Sequence, residues 1–401
     1  MTRRPHALLV VENAPVPHDR RVWNQARALR DAGHDVTIIS PASEKLQATE
    51  RREVLDGIDV YRFPMPFGGR RRADFVLEYG WAVLACHLLA IRVFLRRRFD
   101  LIHVANPPDL FFGLGWMFRP FGVAFVFDQH DLSPETFESK FERKAGAIGV
   151  VLRWLERRSY RAAQAVVVTN ESYRARATGR GGVDDADVFT VRNSPDLDLF
   201  SPRRPQPELK RGHEHLVVFV GTMGHQDGVG VLLDAAAHVR IDKGRDDIGF
   251  VFVGTGDTWE ELQERHAELG LGDGAWFTGF IPDDEMLDIL ASADIGAAPD
   301  LDLPLNNVST MIKTMDYMAM GLPVVSFDLT ESRVSAGDAA IYARDHSAAA
   351  FGDAIIELVD DPERRAEMAR IGQERIAGPL SWKHSAENLL AAHDHARAAL
   401  R

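Results

Sequence analysis

Short apolar runs alternate with stretches of helical periodicity along almost the whole chain, the pattern of βα units around parallel sheets. Runs at Ala7–Val11, Val36–Ile39, Val60–Phe63, Leu101–Val104, Ala124–Phe127 and Ala165–Val168 form one series. Leu216–Val220, Gly249–Val253, Ala275–Phe277, Ile295–Ala298 and Pro323–Phe327 form a second. Between them lie Asn193-Ser-Pro-Asp and Ser201-Pro-Arg-Arg-Pro-Gln-Pro, too rich in proline to continue either sheet. The expected fold class is therefore α/β, two doubly wound Rossmann-like domains over residues 1–200 and 201–379. Their carboxyl edges are expected to face a cleft, where ligands bind in such folds.

Composition supports this organisation. A chain of 401 residues exceeds one ordinary core, and 45% hydrophobic with 26% charged residues is the make-up of a soluble globular protein. The net charge of −12 argues against a general nucleic-acid binder. The single cysteine, Cys86, cannot form an internal disulfide, which fits a reducing cytoplasm. The 15 histidines include no H-E-x-x-H pair, so no metal site is expected. Arg3 and Arg4 precede a short apolar run that Glu12 and Pro15 end too early for a signal sequence.

Candidate chemistry gathers at strand ends. Arg20 and Arg21 open the first helix, where cations are unfavourable, and so point to an anionic partner on the acceptor or phosphate side. The loop Asp128-Gln-His-Asp-Leu-Ser-Pro-Glu places His130, Asp131 and Glu135 after one strand, with the charge of His130 expected to respond to Asp131. Gly221-Thr222-Met-Gly224 opens the second domain with glycines that let backbone amides approach a phosphate. Later, Lys313 and Asp316 sit one helical turn apart on an apolar helix that ends at Gly321, with Pro323 opening a strand.

Taken in order, Asp19-Arg-Arg-Val-Trp, His130-Asp131-Leu-Ser-Pro-Glu135, Val220-Gly221-Thr, Gly279-Phe280-Ile-Pro282 and Lys313-Thr-Met-Asp316-Tyr-Met-Ala-Met-Gly321-Leu-Pro323-Val-Val resemble the family-four, retaining, nucleotide-sugar glycosyltransferases of GT-B fold. The resemblance implies a UDP- or GDP-linked sugar donor on the second domain, an acceptor on the first, and no cofactor or metal. It implies that Lys313 neutralises the diphosphate and Asp316 binds the ribose. Phe280 and Ile281 would lie beside the base, His130 would face the transferred sugar, and Ser309 and Thr310 would bring backbone amides to sugar and phosphates. Gly221, Thr222 and Gly224 complete the donor set; His130, Asp131 and Lys313 are the catalytic candidates. The final helix, about 380–401, would cross back to the first domain. Three positions depart from the family: Thr222 and Asp227 stand where an arginine and a lysine are usual, and Val308 where a glutamate is. Diphosphate charge would then fall to Lys313, with Arg192 or Arg20.

From Arg62 to Arg98, arginines outnumber acids, and Arg70-Arg-Arg and Arg96-Arg-Arg bracket an apolar helix containing Glu78, His87 and Arg92. That is a poor transmembrane span. It reads either as a core helix with solvated ends or as a contact with anionic lipid on the inner face of the cell membrane. The overall expectation is a cytoplasmic glycosyltransferase making a surface polysaccharide or glycoconjugate, with a sugar, lipid-linked or small-molecule acceptor. A nucleotide-sugar epimerase and a non-catalytic nucleotide-sugar-binding subunit are the alternatives.

Overall fold

The first strand, His6–Val10 (β1), is buried at every position, as a strand must be when helices cover both faces of its sheet. The computed structural model describes residues 3–65, 72–141, 146–197, 199–200 and 203–400. Arg70, Arg71, Ser201 and Pro202 lie outside the described residues. Contacts divide the chain into unit 1, Met1–Arg192 with Ser385–Arg401, and unit 2, Asn193–His384.

In unit 1, β1 is followed by α1 (Arg20–Asp31), β2 (Asp35–Pro41), β3 (Arg52–Leu55), β4 (Ile58–Phe63), α2 (Arg72–Arg96), β5 (Leu101–Ala105), α3 (Phe112–Phe118), β6 (Ala124–Gln129), α4 (Ser133–Phe141), α5 (Gly146–Ala162), β7 (Ala165–Val168), α6 (Glu171–Gly179) and β8 (Val188–Thr190). The strand order is β3-β4-β2-β1-β5-β6-β7-β8. All pairings are parallel except β3 with β4. The connection through α1 runs one way along the sheet, and those through α2, α3 and α5 run the other. Right-handed crossovers therefore place α1 and this trio on opposite faces.

Unit 2 contains β9 (His215–Val220), α7 (Val229–Ala237), β10 (Ile248–Val253), α8 (Trp259–Leu269), β11 (Ala275–Gly279), α9 (Asp283–Ser292), β12 (Ile295–Ala298), α10 (Ile312–Ala319), β13 (Val324–Ser326), α11 (Thr330–Ala336), β14 (Ala340–Tyr342), α12 (Ala348–Val359), α13 (Pro362–Ala377) and the start of α14 (Trp382–Ala398). Its sheet is parallel throughout, in the order β11-β10-β9-β12-β13-β14. Alternate residues of β9 feed different cores. Val217 and Phe219 join the cluster under α7, α8 and α12, whereas Leu216 and Val218 join that under α9 and α10. This two-sided burial explains the unbroken apolar runs.

Helix α10 ends in a Schellman motif. Leu322 N donates to Tyr317 O at 2.9 Å and Gly321 N to Met318 O at 3.1 Å, with Gly321 at φ 72°. The chain direction thereby reverses into β13.

Candidate functional site

In unit 2 the strand order reverses between β9 and β12, the usual ligand position in such sheets. The loops leaving β9 and β10 mesh backbone against backbone. A Cβ on Gly254 (φ 125°) would meet Gly221 O at 2.0 Å, and one on Gly256 would meet Met223 O at 2.2 Å. Met223 N donates to Thr255 O at 3.1 Å, and both Thr258 N and Oγ1 donate to Met223 O. Gly228 (φ 67°) lies so close to the chain after β12 that a Cβ would stand 1.9 Å from Pro299 O. These three loops form one block.

Lys313, in the first turn of α10, reaches across that block. Its Nζ donates to Asp300 Oδ1 at 2.5 Å and to Asp227 Oδ1 at 3.4 Å, and lies 5.1 Å from the centre of the Phe219 ring. Gly221 lies above the same side chain: a Cβ there would be 3.5 Å from Lys313 Cε. Burial opposes the lysine charge, but Asp300 and Asp227 outweigh it and hold the ammonium pKa above the ordinary value. Burial pushes Asp227 up despite Lys313, and the Asp300 charge adds to the rise. Asp300 Oδ2 is buried with no hydrogen-bond partner among the described residues. Two carboxylates thus share one cation. The helical spacing predicted Asp316 as the neighbour of Lys313, yet its ammonium pairs with Asp300 and Asp227 from other loops.

Asp316 lies on the buried side of α10. Next to it Tyr317 Oη accepts from Val220 N at 2.9 Å and donates to Ala297 O at 3.2 Å, joining α10 to β9 and β12. Gly296 makes the space for this ring, since a Cβ there would stand 2.4 Å from it. Asn306 Nδ2 donates to Gln226 O and Leu301 O, fastening the segment before Ser309 and Thr310 to the β9 loop. Tyr317 and Asn306 were not expected as site-building residues; a glycine inside the apolar run Ile295–Ala298 was the available signal for the first. Gly224 N donates to Asp227 Oδ2 at 3.0 Å, and Thr222 is exposed. After β11, Phe280 is exposed and Ile281 half-buried, and Gly254 N donates to Gly279 O beside them.

In unit 1 the centre is Asp128, fully buried at the end of β6. It accepts from Arg21 Nη2 at 2.7 Å and Gln25 Nε2 at 2.7 Å, and meets His130 Nε2 at 2.8 Å and His103 Nε2 at 3.1 Å. Burial would raise its pKa, but Arg21, His130 and His103 hold the carboxyl well below the ordinary range. This corrects one expectation. Arg21 is buried against Asp128 and does not present its charge to an anion, whereas Arg20 is exposed. The ring of His130 hydrogen-bonds Asp128, a partner not expected from the sequence, and its charge also bears on Asp131.

Backbone amides of His130 and Asp131 both donate to Asn106 Oδ1, at 2.7 and 3.1 Å, while Asn106 Nδ2 donates to Asp109 Oδ1 and Asp131 O. Burial raises the carboxyl pKa of Asp131, and takes Asp109 and Glu12 each to about 7. Glu135 is corrected too. Arg180 holds its Oε1 at 2.6 Å and Oε2 at 3.2 Å while also donating to Glu156, which makes Glu135 part of an internal ion network. Arg192, an expected source of phosphate charge, donates from its backbone to Ser385 Oγ. Among the described residues no group of three His, Cys, Asp or Glu side chains could hold a metal ion.

Residues 214–361 match the family described as "Glycosyl transferases group 1", and residues 18–194 match the "Glycosyl transferase 4-like domain". The chain is 29% identical over 292 residues to the alpha-maltose-1-phosphate synthase of Mycolicibacterium smegmatis, covering 67% of this chain and 72% of that protein. In structure it resembles sucrose-phosphate synthase from Thermosynechococcus elongatus, with TM-score 0.79 and 18% identity over 99% of this chain and 100% of that one. It also resembles Anabaena HepE, solved with UDP and glucose, with TM-score 0.71 and 16% identity over 98% of this chain and 100% of that one.

Proposed function

Since the chain belongs to the group 1 glycosyltransferases of GT-B fold, we propose that it transfers a sugar from a nucleoside diphosphate donor to an acceptor hydroxyl, with retention of anomeric configuration and without a metal. The observation that carries this reading is the buried Lys313 ammonium beneath the glycine loop at Gly221, tied to Asp300 and more loosely to Asp227. A cation positioned there stabilises the charge that develops on a departing diphosphate, and preorganised charge of this kind is usually the largest source of rate enhancement. Before the donor binds, Asp227 holds part of that charge. Its contact with Lys313 is the longer of the two, at 3.4 Å against 2.5 Å for Asp300, so it is the carboxylate a donor phosphate would displace.

In unit 1 the reading gives His130 the sugar. With Nε2 engaged by Asp128, Nδ1 is the ring atom left to hydrogen-bond a hydroxyl, and the Asn106 clamp fixes the loop. Among the candidates, Asp316 takes the ribose, Phe280 and Ile281 the base, and Ser309, Thr310 and Thr222 the sugar and phosphates through their backbone, while Gly224, its amide held by Asp227, shapes the loop. The UDP complex of HepE makes uridine donors the first to test. A product in surface polysaccharide or glycoconjugate synthesis fits the family.

Incubation with labelled UDP- and GDP-sugars and candidate acceptors tests the proposal. Wild type should transfer or hydrolyse one donor, and Lys313→Ala should lose roughly 100-fold or more of that rate, the cost typical of deleting one preorganised charge-stabilising group. Asp316→Ala should mainly weaken donor binding. Transfer unchanged in both variants would sink the assignment. Donor binding without turnover in wild type would indicate a nucleotide-sugar-binding subunit whose Asp227 keeps Lys313 occupied.

A further inference from the structure

Helix α2 is built inside out for a water-soluble surface. The side buried in the protein carries mostly small residues, Ala82, Ala85, Cys86 and Ala90 with Val93, whereas Leu77, Leu84, Leu88, Ile91 and Leu95 are exposed, Leu95 by 80%. Their spacing of seven, four, three and four places them on one stripe. Helix α5 repeats the inversion. It buries Gly149, Glu156 and Ser159, with Tyr160 and Ala162 at its C-terminal end, and exposes Ile148, Val150, Val151 and Trp154.

The two helices are continuous through α3. Phe94 of α2 packs at 5.1 Å on Phe118 of α3 and at 5.5 Å on Phe121, while Phe112 of α3 meets Trp154 of α5 at 6.4 Å. Trp116, Met117 and Phe121 add exposed apolar area between them. Such a contiguous patch marks an interaction site rather than ordinary scatter.

We infer that the outer face of α2, α3 and α5 docks on an anionic lipid bilayer, an inference independent of the donor site. Charge selects the occupant. In a chain of net charge −12 this face is bordered by exposed Arg92, Arg96, Arg98, Arg119, Arg157 and Arg161. A twofold contact with a second copy would set those arginines against one another. Anionic headgroups match both the arginine border and the apolar stripe. The segment Leu77–Arg96, with mean hydropathy 1.4, is long and apolar enough to cross a membrane, but its alanine side is packed into unit 1. It therefore lies along the bilayer surface and does not span it.

Flotation with vesicles of phosphatidylcholine alone, or mixed with phosphatidylglycerol, tests this on the full chain. Wild type should float only with phosphatidylglycerol, and increasingly poorly as salt rises. The triple variants Leu84→Ser, Leu88→Ser, Leu95→Ser and Arg92→Glu, Arg119→Glu, Arg157→Glu should each reduce the bound fraction at least about tenfold, with Tm unchanged. The salt series on wild type stands if a variant folds poorly. Flotation that ignores lipid charge and salt overturns the proposal. So does failure to float with phosphatidylglycerol; a concentration-dependent dimer that the leucine variant abolishes would then make this face an interface between copies.

Discussion

Lys313 has one charge to divide between Asp300 and Asp227. Asp227→Asn keeps the hydrogen bond from Gly224 feasible and removes the competing carboxylate. Donor KM should fall roughly threefold to tenfold, the equivalent of about 1 kcal/mol, and initial-rate kinetics would read it. A KM that rises would mean Asp227 positions Lys313 for the donor. The lysine itself was legible in the sequence because it stands on a punctuated helix. Its partners were not, because Asp227 comes 86 residues earlier and Asp300 thirteen earlier, and only the sheet order brings them together. Arg21 carries the same lesson. A cation at a helix start reads as an anion site until β5 and β6 place Asp128 beside it.

Elements were legible where both faces of a strand are buried. β3, β8 and β14 went unpredicted: β3 has exposed and half-buried positions only, and the other two span three residues each. The meshed loops yield a sharp expectation. Gly254→Ala would drive Cβ into Gly221 O from a positive φ and should cost about 2–4 kcal/mol, seen as a lower unfolding midpoint with donor binding weakened in parallel. Helix α14 yields a pH dependence. His393 is fully buried against His103, with His34, Arg397 and Asp128 also near, and burial together with its histidine neighbours holds its pKa well below the ordinary 6.5. The folded state thus keeps His393 neutral while the unfolded chain protonates, so stability present above about pH 6.5 is lost as pH falls. His393→Gln retains a hydrogen-bonding side chain and removes the titration. Its Tm should decline less than that of wild type between about pH 7 and 5.

At the scale of the molecule, unit 1 is discontinuous in sequence. Leu389, Ala392, His393 and Ala396 of α14 are buried, and Asn388 Nδ2 donates to Thr190 O in β8. Removing Ser385–Arg401 should destabilise unit 1 by about 4 kcal/mol or more through lost apolar burial, while leaving unit 2 near its original midpoint. Calorimetry of the truncated chain would show one transition moved and one in place; two equally shifted transitions would contradict the division. Two domains were legible from the paired series of apolar runs. The return of the last helix was implied by the family resemblance alone, since its apolar positions fit either sheet.

That return sets an order of events on the ribosome. The eight described strands of unit 1 emerge first, yet the part of α14 that covers His103, Ser385 onward, is synthesised after all of unit 2. Unit 2 has its full complement of strands and cores while unit 1 still waits for its last helix. The nascent chain therefore carries an unfinished first domain through most of its synthesis, and the half made last is the first that can be complete.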